Sequence, residues 1–457
     1  MSSYPNENMN TLNEQSSTQM IKKQKTRKGA NESNKSSFEA VTTLIKSGNI
    51  IRLRSMLASG ELTDANMKDV KSRNTLLIVA AEEGQVECLE LSIEYGAIIN
   101  DPTNDSVLYK ACENGHIEVV KVLLKHHADP NRSSVPPLNI ACAKGHLEIA
   151  KILIENGAIV NLADEDAVSA LQEASGGGNA KLVEYLISKD AELDRCNSDY
   201  WTPLHIAHCK RDFKMMEVLV KHGADVDVHG PGGDEDYNDE DTCLNLACKN
   251  GDMEMINFLL AHGADAAAYN HHGRSPFITA YEKGNREVVD LFLQRDVDLN
   301  NINCHYLVGD VQYQNKSSPL MFACAKGDIT VVKRLLSHGA DPNLMRKDIT
   351  LTDSAVISAC RGGHVEVLQV LLDQGVDVNQ KDYMGNNSLM FLLYDEEEGL
   401  PLPWSGRTIA CARLLVEYGL DLQAVNNEGW DLENLAQGDP VLTKLFKYAP
   451  DSKPLVK

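Results

Sequence analysis

A short pattern of residues returns along most of this chain at nearly constant intervals. The glycines Gly84, Gly115, Gly145 and Gly178 lie 31, 30 and 33 residues apart, and later intervals stretch to 36 and beyond. Self-similarity at such a period is typical of chains built from stacked repeats. The length of 457 residues fits this interpretation, because a single hydrophobic core seldom serves so long a chain.

Each unit contains two short amphipathic segments separated by a glycine. In one copy the first segment ends at Gly115, and the second carries Val119, Val120, Leu123 and Leu124 at the spacing of a helix face. Glycine adopts the left-handed backbone conformation that ends a helix more easily than other residues do. Because neither helix can bury its apolar face alone, we expect each unit to be stabilised by stacking against its neighbours.

The best-preserved copy spans residues 197–228, with Thr-Pro-Leu-His at 202–205 and Gly-Ala-Asp at 223–225. These motifs resemble the ankyrin repeat, and with the less regular copies they cover roughly four-fifths of the chain. The resemblance implies an all-α ankyrin-repeat solenoid, in which helix pairs stack and finger loops line one concave face. We count ten repeats between residues 70 and 425.

Composition and spacing divide the chain into four segments. Residues 1–36 carry six basic and three acidic residues, a local charge of +3, and almost nothing apolar, which predicts a disordered tail. A helical N-terminal cap is expected at 37–69, the repeats at 70–425, and a C-terminal cap and tail at 426–457. Insertions are expected within the repeat region at residues 229–241, 301–316, 344–353 and 395–407.

Apolar stripes are the basis for predicting both caps, because terminal repeats need an altered outer face. The N-terminal stripes are Phe38, Val41, Leu44 and Ile45, then Ile51, Leu53 and Leu57. The residues expected to close the stack at the other end are Trp430, Leu432, Leu435, Val441, Leu442, Leu445 and Phe446.

The formal net charge of −22 disfavours some classes of partner and favours others. It repels nucleic acid and anionic membrane surfaces, so direct nucleic-acid binding is not expected. No apolar run approaches the roughly 20 residues that span a bilayer, and residues 1–10 lack the apolar stretch of a secretory signal, so membrane insertion is not expected. We therefore expect a cytoplasmic protein whose partners are other proteins, including proteins with basic segments.

A basic cluster in the N-terminal tail leaves a nuclear location open. Its members are Lys22, Lys23, Lys25, Arg27 and Lys28. Such a cluster acts either as a nuclear import signal or as a solubilising tail, and its composition does not decide between them.

The motifs GxxxxGK[ST], GxSxG and HExxH do not occur, and the run of three glycines at 176–178 falls on the mid-repeat turn. The histidines recur at equivalent positions of different repeats, so they do not converge on one metal ion. We therefore expect no catalytic residue, no cofactor and no metal.

Several of the 11 cysteines follow an alanine at one repeat position, which indicates small buried packing residues. These cysteines are Cys112, Cys142, Cys248, Cys324 and Cys360.

The finger loops between repeats carry residues that the fold does not require. The resemblance places Tyr200 at a position that is usually glycine, and Trp201 beside it at a variable, outward position. Partner-binding residues are predicted on three fingers, namely Tyr200 and Trp201, then His271, His272 and Arg274, and then Tyr383 and Met384. The alternative for Trp201 is packing on a neighbouring finger.

The acidic loop at 229–241 either captures a basic peptide or is a solvated spacer.

Three asparagines, Asn131, Asn343 and Asn379, each follow an acidic residue two positions earlier and a leucine eight positions earlier. They resemble the asparagines that an asparaginyl hydroxylase modifies in ankyrin repeats. The alternative is that asparagine is required there for the turn itself.

The resemblance implies an interaction module, so we expect an intracellular scaffold or adaptor that binds proteins through the concave ankyrin surface. One alternative is a nuclear transcriptional regulator that acts through protein partners. Another is the substrate-recognition subunit of a ubiquitin ligase, although residues 440–457 show no clear box for such a role.

Overall fold

The computed structural model describes most of the repeat region of this chain. The described residues are 38–62, 64–69, 74–101, 107–230, 241–270, 273–295, 297–300, 317–345, 354–381, 384–393 and 406–432. They fall into two compact units, Met1–Ala224 and Asp225–Lys457. The predicted tail at 1–36, most of the four predicted insertions and residues 433–457 lie outside the described residues.

In its described residues the first unit contains six pairs of short helices. The pairs are α1 (38–46) and α2 (Ile50–Ser59), α3 (Leu76–Glu82) and α4 (Val86–Glu94), α5 (Val107–Glu113) and α6 (Ile117–Lys125), α7 (Pro137–Ala143) and α8 (Leu147–Glu155), α9 (Ala170–Gly176) and α10 (Ala180–Ile187), and α11 (Pro203–Cys209) and α12 (Phe213–Lys221). The first helices of successive pairs, α3 to α11, contact one another in series.

The second unit contains five such pairs in its described residues. The pairs are α13 (Cys243–Asn250) and α14 (Met253–Ala261), α15 (Pro276–Glu282) and α16 (Arg286–Gln294), α17 (Pro319–Lys326) and α18 (Ile329–Ser337), α19 (Ala355–Arg361) and α20 (Val365–Asp373), and α21 (Ser388–Leu393) and α22 (Gly406–Glu417). The first helices contact in series here as well, from α13 to α21. Extended backbone pairs occur only as three isolated bridges among the described residues, so the predicted all-α class is confirmed.

A hydroxyl side chain starts most of the first helices. At Ser318, for example, the Oγ accepts a hydrogen bond from the Met321 backbone N–H at 3.2 Å, and Pro319 occupies the first helical position. The hydroxyl satisfies a backbone donor that the helix leaves without a partner, and proline needs no such partner. Losing such a cap costs about 1 kcal/mol, which is substantial for a helix of this length.

The core of each repeat is a thin apolar layer between adjacent helices. Val119, Val120 and Leu123 of α6 are fully buried, as the spacing of the stripe predicts. The five cysteines that follow an alanine are also fully buried, which confirms their packing role. Each buried aliphatic side chain contributes about 1.5–3 kcal/mol, and helices this short do not persist alone. The repeats therefore depend on their neighbours for stability.

Two apolar residues of the predicted caps are exposed. Ile51 is 82% exposed, whereas Leu53 and Leu57 are buried, because a residue two positions before Leu53 faces the opposite side of a helix. Trp430 is 47% exposed and lies in a finger loop, while Leu432 is buried. The expectation that Ile51 belongs to the inner stripe is therefore wrong. Closure of the stack at the C-terminal end stays a prediction, because most of the residues expected there lie outside the described residues.

Candidate functional site

One finger loop of the first unit carries the predicted binding residues Tyr200 and Trp201, and it contacts the preceding finger. We call residues 164–168 and 197–201 finger pair A. The Ser198 N–H donates to the Asp166 carbonyl oxygen at 2.9 Å, which joins the two fingers. Within the second finger, the Asn197 N–H donates to the Trp201 carbonyl oxygen at 3.1 Å and closes the turn. The two loops therefore form one surface.

The backbone of Trp201 is held from two sides. Its N–H donates to Asn197 Oδ1 at 2.8 Å, and its carbonyl oxygen accepts from Gln172 Nε2 at 2.6 Å. Gln172 is a buried residue of α9, so the bond connects the finger to the first helix of the preceding repeat. The Trp201 side chain stays partly exposed on this fixed backbone. Holding the backbone in this way lowers the conformational entropy that the loop would lose on binding a partner.

Tyr200 occupies a backbone conformation that side chains normally avoid. Its φ is 63° and its side chain is 52% exposed. A left-handed conformation costs a residue with a Cβ roughly 1–2 kcal/mol, a cost that glycine would not incur. Such strain at an exposed aromatic residue is a reason to assign it a function.

The surface of α9 and α11 near finger pair A carries opposed charges. Burial raises the pKa of the Glu173 carboxyl and the charge of Asp164 adds to this effect, whereas Lys210 and Lys144 lower the pKa. Lys210 Nζ also donates to the carbonyl oxygen of Gly176 at the end of α9. These lysines are therefore engaged with groups of the chain itself.

A second finger pair with the same geometry lies in the second unit. We call residues 384–387 and 425–431 finger pair B. The Asn427 N–H donates to the Met384 carbonyl oxygen at 2.8 Å, and the Trp430 N–H donates to Asn426 Oδ1 at 2.9 Å. Gly429, with φ 84°, occupies the position equivalent to Tyr200. Sequence reasoning missed Trp430 as a finger residue, although its spacing from Asn426 equals that of Trp201 from Asn197.

The other predicted binding residues are placed less favourably or are not described. Arg274 Nε lies 2.9 Å from Glu282 Oε2, so its guanidinium is already paired within the second unit. Met384 is partly buried and provides a backbone acceptor to finger pair B. His271, His272 and Tyr383 lie outside the described residues, as do the predicted import residues Lys22, Lys23, Lys25, Arg27 and Lys28.

The asparagines considered for hydroxylation join consecutive repeats through their side-chain amides. Asn131 donates from Nδ2 to the Gly157 carbonyl oxygen at 2.9 Å and accepts at Oδ1 from the Ile159 N–H at 2.8 Å. Asn379 bonds Gly419 and Asp421 in the same way, at 3.1 and 2.7 Å. The third candidate, Asn343, accepts from the Asp377 N–H at 2.9 Å. These bonds give asparagine a structural role at the position, and hydroxylation stays a prediction.

The recurring histidines and cysteines have structural partners. His116 Nε2 lies 2.8 Å from the Glu82 carbonyl oxygen, and His364 Nε2 lies 3.0 Å from that of Ala325, each reaching the preceding repeat. Burial raises the pKa of the Cys112 and Cys142 thiols, which opposes formation of a reactive thiolate. Within the described ranges, no three His, Cys, Asp or Glu side chains gather where they could hold a metal ion.

Among the described helices, none combines the length and hydropathy of a membrane-crossing segment.

Comparison with known proteins finds ankyrin-repeat sequences. A sequence model described as ankyrin repeats in three copies matches residues 30–134, 138–230, 229–303, 301–382 and 320–426. The chain is 28% identical over 157 residues to an ankyrin repeat and KH domain-containing protein of Caenorhabditis briggsae, covering 33% of this chain and 6% of that protein. It is also 28% identical over 317 residues to the ankyrin repeat and KH domain-containing protein mask-1 of Caenorhabditis elegans, covering 61% of this chain and 12% of the relative. The chain therefore aligns with a small part of these relatives.

The search of solved structures finds the human ASB11 ankyrin repeat domain, at 23% identity and a TM-score of 0.43. The alignment covers 49% of this chain and 97% of that domain.

Proposed function

Because this chain belongs to the ankyrin-repeat family, we propose that it is an intracellular scaffold or adaptor that binds partner proteins and catalyses no reaction. Ankyrin repeats are generally protein–protein interaction modules, and stacked repeats offer extended surfaces for this purpose. The observation that carries the proposal is finger pair A, where Tyr200 and Trp201 are presented on a hydrogen-bonded backbone. Tryptophan and tyrosine are frequent anchors of protein interfaces.

A second tryptophan finger favours a scaffold over a single-partner binder. Trp430 of finger pair B is exposed and held by the same kind of asparagine bond as Trp201. Each unit thus has a tryptophan finger of its own, so different partners can use different units.

Affinity capture with matched variants tests the proposal. We expect Trp201→Ala to remove one set of captured proteins and Trp430→Ala to leave that set in place. Circular dichroism of both variants checks that the helices are retained. Recovery of the same proteins by the wild type and by Trp201→Ala would contradict a role for finger pair A.

The second candidate function is a nuclear regulator that acts through protein partners. The basic cluster that contains Lys22 and Lys28 favours it, since such clusters can serve as import signals. Imaging the chain with and without residues 1–36 tests this candidate. Loss of nuclear signal on removal of the segment supports it, and an unchanged cytoplasmic distribution contradicts it.

A further inference from the structure

We infer that finger pair A binds an arginine-bearing basic segment of a partner protein. This inference rests on the proposed protein-binding function and adds the chemistry of the occupant. Its basis is the combination of two presented aromatic residues with carboxylates on the same two loops.

The ten residues of finger pair A include four carboxylates and no basic residue. Asp164 is used within its own loop, because its Oδ1 accepts from the Asp166 N–H at 3.0 Å and the Val168 N–H at 2.8 Å. Asn197 Oδ1 stabilises the turn of the other loop in the same way, because it accepts a hydrogen bond from the Asp199 N–H at 3.1 Å. Turn formation therefore does not use the carboxylates of Asp166 and Asp199.

The carboxylates of Glu165, Asp166 and Asp199 are exposed to solvent. Among the described residues, no basic side chain lies within ion-pair distance of these three carboxylates. The nearest arginine in sequence, Arg195, is engaged elsewhere, since its Nη1 donates to the Asn161 carbonyl oxygen at 3.0 Å and lies 3.5 Å from Glu192 Oε2. Finger pair A thus presents negative charge that the chain itself does not neutralise.

Arginine is the side chain that matches both features of this surface. Its planar guanidinium stacks on aromatic faces and forms two parallel hydrogen bonds with a carboxylate. Lysine is a more strongly hydrated point charge and cannot form the parallel pair. An acidic or phosphorylated segment would meet the repulsion of four carboxylates. Finger pair B lacks this combination, because it has two carboxylates and glycine in place of Tyr200.

Fluorescence anisotropy of labelled peptides with the full chain tests the inference. The probes are three peptides of equal length, in which glycine alternates with arginine, lysine or glutamate. We expect the arginine peptide to bind most tightly and to lose about tenfold or more in affinity with Trp201→Ala. The double variant Asp166→Asn, Asp199→Asn should weaken binding several-fold, and added salt should reduce the difference from wild type.

Matched variants control for the strongly negative charge of the whole chain. The double variant Glu184→Gln, Glu217→Gln removes two exposed carboxylates from outer helices α10 and α12 and should leave arginine-peptide binding unchanged. Trp430→Ala should also leave it unchanged. Equal binding of the lysine peptide, or equal loss in the two double variants, would overturn the assignment of arginine to finger pair A.

The result also separates this inference from the proposed function. If protein capture depends on Trp201 while the carboxylate variants bind the arginine peptide like the wild type, the basic occupant is wrong and the protein-binding function stands. If Trp201→Ala changes neither capture nor peptide binding, both fail.

Discussion

Left-handed backbone positions recur in every repeat, and the two units fill them with different residues. In the described residues of the second unit, every position with positive φ is a glycine. The first unit also uses glycine at many of these positions but places a residue with a side chain at five of them. These residues are His127, Ala167, Asp190, Tyr200 and Arg211.

The difference shows where the chain tolerates strain. Each side chain in a left-handed conformation costs roughly 1–2 kcal/mol, and two of the five, Tyr200 and Arg211, lie in the single repeat at 197–228. That repeat also holds His208, which is only 7% exposed and whose Nδ1 has no hydrogen-bond partner among the residues that the structure describes. The copy that best matches the ankyrin motif thus has several unfavourable features, and it contains the second loop of finger pair A, with Tyr200 and Trp201. Arg211 follows α11 and Tyr200 precedes it, so only the strain of Tyr200 lies at the presented aromatic residues, and it is this strain that fits a functional surface.

The largest expected effect is an acid sensitivity centred on His208. Burial, assisted by the charge of Arg211, lowers the pKa of His208 to about 4. The unfolded chain protonates this histidine near its ordinary pKa of about 6.5, so between these values the unfolded state binds more protons than the folded state. The free energy of unfolding should be undiminished above pH 6.5 and should fall by up to about 3 kcal/mol as the pH drops to 4. Urea denaturation at several pH values measures this loss.

The variant His208→Cys isolates this contribution, because cysteine occupies the equivalent position of α7 at Cys142. It should remove part of the acid sensitivity, whereas His126→Ala at an exposed site should not. If His208→Cys and the wild type lose stability in parallel between pH 6.5 and 4, His208 does not titrate as predicted.

The next effect contrasts the mid-repeat turns of the two units. Gly327 has φ 73°, and a Cβ there would lie 2.4 Å from His364 Nδ1, whose ring also bonds the Ala325 carbonyl oxygen. We expect Gly327→Ala to lower the free energy of unfolding by about 2–3 kcal/mol through backbone strain and displacement of that histidine. Arg211 occupies the equivalent turn of one repeat in the first unit, where the other mid-repeat turns have glycine, so Arg211→Ala should change the free energy of unfolding by less than about 1 kcal/mol. Equal losses in chemical denaturation would show that the two turns do not differ as described.

Sequence reasoning predicted the helix pairs well because their signals are local. The predicted stripe repeats with the helical period, and burial is confirmed for Val119, Val120 and Leu123, whereas its fourth member, Leu124, is partly exposed. Ile51 was misplaced because an apolar residue near a stripe was counted with it, although its angular position differs. Pattern alone also could not place Trp430, since an apolar residue before a terminal helix fits a cap and a finger equally well.

The finger pairs required knowledge of long-range hydrogen bonds. The repeat pattern places Tyr200 at a position that is usually glycine, and the structure gives it a left-handed backbone conformation. The bond from Gln172 to Trp201, however, joins residues 29 positions apart and depends on how two repeats stack. The exposure of Asp166 and Asp199 beside Tyr200 likewise follows from the contact between two loops and not from either loop alone.

The smallest expected effect comes from exchanging the residues that distinguish the two tryptophan fingers. Tyr200→Gly relieves a left-handed side chain but gives the unfolded chain more freedom, so we expect a net gain of at most about 1 kcal/mol in the free energy of unfolding. Gly429→Tyr introduces the same strain into finger pair B and should cost about 1 kcal/mol. Thermal and chemical denaturation of both variants measures the two changes in stability. The affinity of each variant for the arginine peptide then shows whether a gain in stability accompanies a loss of binding. If Tyr200→Gly instead destabilises the chain by more than about 1 kcal/mol, the ring of Tyr200 packs against its surroundings, and its strain is compensated within the fold and not retained for a partner.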